Sequence, residues 1–115
     1  MFAEGCIYSQ PSAVGVRCLV MRRWPRGIAH DRVDVWLKDL GPLPELMDRL
    51  QRGQLTFGAF AQQYTTQLMT HPATQEALRQ LIALEASSGT VILLCHELTY
   101  PCHRFVLLDY LTNCR

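Results

Sequence analysis

Two thiols, two imidazoles, a carboxylate and a guanidinium fall within ten residues, as Cys95-His96-Glu97 and then Cys102-His103-Arg104. Each type has a chemistry at neutral pH. A cysteine thiolate attacks, an imidazole moves protons, a carboxylate takes a proton or holds an arginine, and a guanidinium holds an anion. Cys102 opens a stretch of helical period, so it stands in the first turn of a helix, where unpaired amides and the helix dipole favour its thiolate. Arg104 and a protonated His103 add to that effect. The pattern predicts Cys102 as a nucleophile of lowered pKa, His103 as its acid–base partner, Glu97 as a general base, and Arg104 as an anion holder. Two plainer readings stand beside these: Cys102 as a small residue filling a helix–sheet junction, and Glu97 as an arginine's partner. Cys95 closes an apolar run and reads as a core cysteine. It is also a secondary thiol, able to resolve a disulfide with Cys102 if the two approach.

The second cluster is Arg22-Arg23-Trp24-Pro25-Arg26-Gly27. Guanidinium groups on a rigid proline–glycine turn suit a phosphate, carboxylate or sulfate, and an aromatic among them can stack on a base. Arg22, Trp24 and Arg26 are the substrate-binding candidates, against a reading in which Trp24 plugs the core edge. Zinc prefers the ligand types present at Cys95, His96, Cys102 and His103. Six residues separate the thiols, however, and each histidine directly follows a cysteine. Neighbours on a strand point to opposite faces, so no metal and no other cofactor is assigned. Eight residues lie between Cys95 and Arg104, which excludes the cysteine-x5-arginine loop of cysteine phosphatases. No glycine-rich phosphate loop and no nucleophile elbow is present.

The elements that must position these groups follow from pattern. Cys6-Ile7-Tyr8 and Val16–Met21 are apolar and β-prone. Asp34 is placed as the N-cap of a short helix through Leu40, closed by Gly41-Pro42. Helices are predicted from Pro44 to about Arg52, from Thr56, and from Ala73 to about Ala86. In the second of these Phe57, Phe60, Ala61, Tyr64 and Leu68 share one face. Thr90–Leu94 is short and wholly apolar after Thr90, the mark of a central strand covered on both faces. A last helix begins near Pro101-Cys102. Strands alternating with helices predict an α/β fold, a small three-layer Rossmann-like domain with a short, mostly parallel sheet. Ligands of such sheets bind beyond the carboxyl ends of the strands. That rule places Arg22–Gly27 and Cys95–Arg104 on one edge.

The 115 residues, 49% apolar and 18% charged, fit one folded domain spanning 1–115. A net charge of +1 gives no global attraction to nucleic acid or membrane. Ten arginines stand against the single Lys38, a bias that suits anion binding and equally a GC-rich genome. No span reaches the roughly 20 apolar residues that cross a bilayer, and Met1–Gly5 does not open a secretory signal. Five irregularly spaced cysteines then read as reduced thiols in the cytoplasm.

Arg22-Arg23-Trp24-Pro25-Arg26-Gly27, followed by Trp36-Leu37-Lys38-Asp39-Leu40-Gly41-Pro42, resembles the YeaO-like proteins within the bacterial domain-of-unknown-function family 488. Phe60 and Tyr64 look like that family's phenylalanine and tyrosine. Leu93–Glu97 with Cys102-His103-Arg104 is similar to its leucine-cysteine-alanine-glutamate and cysteine-histidine-arginine signature. The resemblance runs from about Ile7 to Leu111 and implies an α/β domain with a site at these two segments. It supplies no reaction. Met21 departs from the pattern, since relatives carry an aspartate before the first arginine. Three functions remain open: a cysteine-dependent enzyme acting on a small anionic substrate, a non-catalytic nucleotide or nucleic-acid phosphate-binding domain, and a zinc-binding structural domain.

Overall fold

Four strands, β1 (Phe2–Cys6), β2 (Val16–Leu19), β3 (Val35–Trp36) and β4 (Val91–Cys95), form one sheet in the order β1-β4-β2-β3, with every pairing parallel. The computed structural model describes residues 1–8, 14–95 and 102–113. Helices α1 (Pro44–Gln51), α2 (Phe57–Thr70) and α3 (Pro72–Ser88) connect β3 to β4, and α4 (His103–Asn113) follows β4. None of these helices is long and apolar enough to cross a membrane.

The pleat sorts the side chains. Val91 and Leu93 of β4 and Cys18 of β2 join Val20 in the core beneath the helices, with Phe60, Tyr64, Leu81, Leu107 and Leu111. The alternate residues Leu19, Ile92 and Leu94 face the other way, packing with Ile7 against Met21, Trp24, Ile28 and Val33. The α/β expectation therefore holds. The sheet is the middle layer, the α-helices cover one face, and the excursion between β2 and β3, with its short 3-10 helix at His30–Arg32, covers the other. β4 is buried along its whole length, which is why it reads as an uninterrupted apolar run.

Two expectations about elements need correction. The first strand is Phe2–Cys6 rather than Cys6–Tyr8, because it is specified by its partner: Phe2 pairs Val91 and Cys6 pairs Cys95. The helix placed at 34–40 is instead the two-residue strand β3 and a 3-10 turn at Lys38–Leu40. Asp34 caps nothing there. Its carboxylate accepts from the Arg17 amide at 2.8 Å and from the Arg17 guanidinium at 2.9 and 3.0 Å, tying β2 to the start of β3. Thr56 caps α2 as read, accepting from the Ala59 amide, and Pro44 opens α1; α3 opens one residue earlier than read, at Pro72, with His71 as its cap. Gly89 ends α3 with φ 90°, a conformation that suits glycine at a helix end.

Candidate active site

The site is built from the carboxyl ends of β2 and β4 and the start of α4. Cys95, in phase with Val91 and Leu93, points toward the helices, and Cys102 immediately precedes α4. Their sulfurs lie 2.9 Å apart, with the Cys102 thiol donating to Cys95 Sγ. His103, in the first turn of α4, makes a 2.8 Å hydrogen bond through Nε2 to the Val20 carbonyl at the end of β2. A carbonyl only accepts, so Nε2 carries a proton, and in the neutral ring Nδ1 is the nitrogen with the lone pair. That nitrogen is 3.8 Å from each sulfur. The Tyr64 ring meets the imidazole edge-on, with centroids 5.6 Å apart. Cys95, Cys102, His103 and Tyr64 are all buried.

Behind the sulfurs stands Arg104, fully buried. Its Nε donates to Glu4 Oε2 at 2.8 Å, and Nη1 lies 3.9 Å from Cys102 Sγ. Its guanidinium also covers the Phe105 ring, 4.7 Å from the centroid. The expectation of a lowered Cys102 pKa is corrected. The hydrogen bond it donates to Cys95, its burial and the charge of a neighbouring thiolate all push the Cys102 thiol up. The Arg104 amide and guanidinium pull it back only in part. The start of a helix does favour a thiolate, but here burial and a second sulfur 2.9 Å away outweigh it.

The sulfurs and His103 form the floor of a cavity of about 450 Å³, walled by Met21, Met47, Phe57 and Phe60, with Arg22 and Arg23 also lining it. The two segments paired by the strand-end rule thus meet, though only in part. Arg22 is largely committed to the turn before α1, donating to the carbonyls of Pro42 at 3.1 Å and Gly41 at 3.0 Å and pairing with Asp39 at 3.4 Å. Arg23 is exposed. Trp24 packs on the opposite face of the sheet, its Nε1 donating to Ile28 at 2.9 Å. Arg26 is exposed and its carbonyl accepts from Tyr8. Glu97 and His96 lie outside the described residues. The pattern missed Glu4. Its signal was an acid on the helix-facing phase of a strand, between Phe2 and Cys6. Cys18, on the same face but deeper, has its thiol raised to about 12 by burial.

The family model described as the active DUF488-N3 subclade, DUF488-N3a, matches residues 7–114. The uncharacterised protein YeaO of Escherichia coli strain K12 is 29% identical over 101 residues, 86% of this chain and 85% of that one. Uncharacterised proteins of Mycobacterium bovis and Mycobacterium tuberculosis are 41% identical over 69 residues, 58% of each chain. No solved structure matches.

Proposed function

Because the chain belongs to the DUF488-N3a family, described as the active DUF488-N3 subclade, we propose that the cavity is an active site for a small anionic substrate. The reacting end is the sulfur pair and the anion-holding end is Arg23, beside the positive charge of Arg22, whose guanidinium is held by Pro42, Gly41 and Asp39. One observation carries this reading. Two thiols in contact, with an imidazole lone pair 3.8 Å from both, form the floor of a cavity that two arginines also line.

The pair gives up one proton far more readily than two, because the second thiolate would form against the charge of the first. His103 Nδ1 accepts that first proton, and its bond to Val20 keeps the ring oriented for the task. One sulfur then attacks the electrophilic atom of the substrate. The sulfur–substrate bond forms, the leaving group departs, and His103 returns the proton to it. Cys102 acts as half of a proton-sharing pair rather than as a lone thiolate. The dithiol requires a reducing setting, which supports a cytoplasmic location.

Anionic and neutral alkylating agents test this directly. Rates with iodoacetate and iodoacetamide, each divided by the rate for free cysteine, are expected to favour iodoacetate several-fold at Cys95 or Cys102. Arg23→Gln should abolish that preference. Equal normalised rates in the unaltered protein would remove the anion-binding half of the proposal. Failure of either sulfur to react faster than Cys18 would remove the nucleophilic half.

A further inference from the structure

We infer that Cys95 Sγ, Cys102 Sγ and His103 Nδ1 are also a three-ligand site for a thiophilic divalent cation of the zinc class, with its fourth position open to the cavity. This inference uses the same cavity as the proposed active site, but it does not depend on attack by sulfur. Spacing in the sequence argued against zinc because Cys95 and His96 cannot share an ion from adjacent strand positions. The fold draws the third ligand from elsewhere, bringing His103 across the start of α4.

Three features support it. The donor set is two cysteines and one histidine, soft ligands that zinc takes, and three protein ligands with an open place is the pattern of catalytic rather than structural sites. The imidazole is already prepared: Nε2–H is fixed on the Val20 carbonyl at 2.8 Å, the outer bond that metal-bound histidines regularly make. Distances fit as well. Each sulfur is 3.8 Å from Nδ1, close to the roughly 3.6 Å edge of a tetrahedron with metal–sulfur bonds of about 2.3 Å and metal–nitrogen bonds of about 2.1 Å. The sulfurs, 2.9 Å apart, open to roughly 3.7 Å on uptake.

Charge favours the same outcome. A buried dithiolate alone is costly, whereas two thiolates and one divalent cation sum to zero. Arg104 remains paired with Glu4 at 2.8 Å. An ion at this point would present its open position to the cavity that Arg22 and Arg23 line, where a substrate oxygen or a water completes the coordination.

Cobalt(II) titration of the reduced protein tests the site. One equivalent should give a thiolate-to-cobalt charge-transfer band and the intense visible bands of a tetrahedral ion, with protons released on binding. Zinc should displace it. His103→Gln should weaken binding at least ten-fold, and Cys95→Ser and Cys102→Ser should remove the charge-transfer intensity, while Cys18→Ser leaves it unchanged. Should any variant fail to fold by circular dichroism, the unaltered protein still decides. Zinc should protect Cys95 and Cys102 from alkylation, mapped by mass spectrometry. Absence of the charge-transfer band, or no protection by zinc, would overturn the metal site. Alkylation of zinc-free protein reads sulfur reactivity separately, so one reading can fail while the other stands.

Discussion

At the scale of single residues, the site is a competition over charge. Cys102 loses the thiolate expected of a helix start because Cys95 stands 2.9 Å away and accepts the hydrogen bond that its thiol donates. Removing that neighbour should reverse the balance. In Cys95→Ser the remaining thiol keeps the Arg104 amide and guanidinium and loses the repelling sulfur, so the pH midpoint of its alkylation should fall. A midpoint that stays or rises would show that burial alone holds the thiol up. Met21 offers a second test, since it lines the cavity beside Arg22 and Arg23. Met21→Asp brings a carboxylate toward those guanidiniums and should cut the preference for iodoacetate over iodoacetamide by several-fold. Glu4→Gln withdraws the acid from a fully buried arginine. Because the Glu4 side chain is itself about a third exposed at 35%, the loss should be on the order of 2 kcal/mol, below that of a fully buried pair. Chemical denaturation measures it. The residue types of this site were legible in the sequence; the contact of Cys95 with Cys102 was not, because whether two thiols seven positions apart meet depends on where the start of α4 packs against the end of β4, which no local pattern sets.

At the scale of elements, the turn from Asp39 to Leu43 holds the arginine side of the cavity. Gln67 on α2 donates to the Gly41 carbonyl at 3.0 Å and accepts from the Leu43 amide at 2.9 Å. Thr74 on α3 donates to the Asp39 carbonyl at 2.9 Å. A Cβ on Gly41 would stand 2.6 Å from the Arg22 amide nitrogen and 2.9 Å from its Cβ. Gly41→Ala should therefore cost about 2 kcal/mol by forcing the backbone apart, and it should disturb the cavity even where the fold survives. Urea unfolding and the alkylation ratio together report both effects. The β2–β3 tie makes a pH prediction. Hydrogen bonds from the Arg17 side chain and amide, with its charge, hold the Asp34 carboxyl below its ordinary range. Its contribution to stability is thus present above the unfolded value of about 3.9 and is lost as pH falls through the lower folded value. Asp34→Asn should flatten that part of the acid limb; an unchanged limb would show the pair to be inert. This same tie explains a misreading. Asp34 looks like an N-cap by type and position, yet its oxygens are spent on Arg17, a partner that only the sheet brings near. Strand β1 was misplaced for a similar reason, since Phe2-Ala3-Glu4-Gly5 has little intrinsic strand preference and is defined by pairing with β4. Helices α1, α2 and α3 were legible because their period and caps are local.

At the scale of the whole molecule, parallel topology does the work of assembly. The proposed site is drawn from the ends of β2 and β4, neighbours in the sheet but far apart in the chain, and from the helix that follows β4. The apolar run Val91–Leu94 identified the central strand, and the strand-end rule paired two segments that each contribute residues to one cavity. What the rule lacked was resolution within them. It placed Arg22, Trp24 and Arg26 together, whereas the sheet separates Trp24 to its far face and leaves Arg22 and Arg23 at the cavity. We propose this cavity as a reacting centre for an anion. The most direct measurement is residue-resolved alkylation of the native, reduced protein with and without inorganic sulfate, mapped by mass spectrometry. Cys95 or Cys102 should be modified first and be protected several-fold by sulfate, while Cys18, held protonated by burial, stays unmodified until unfolding. Modification of the pair no faster than Cys18 would rule out a reactive pair, and a rate indifferent to sulfate would rule out an anion site beside it.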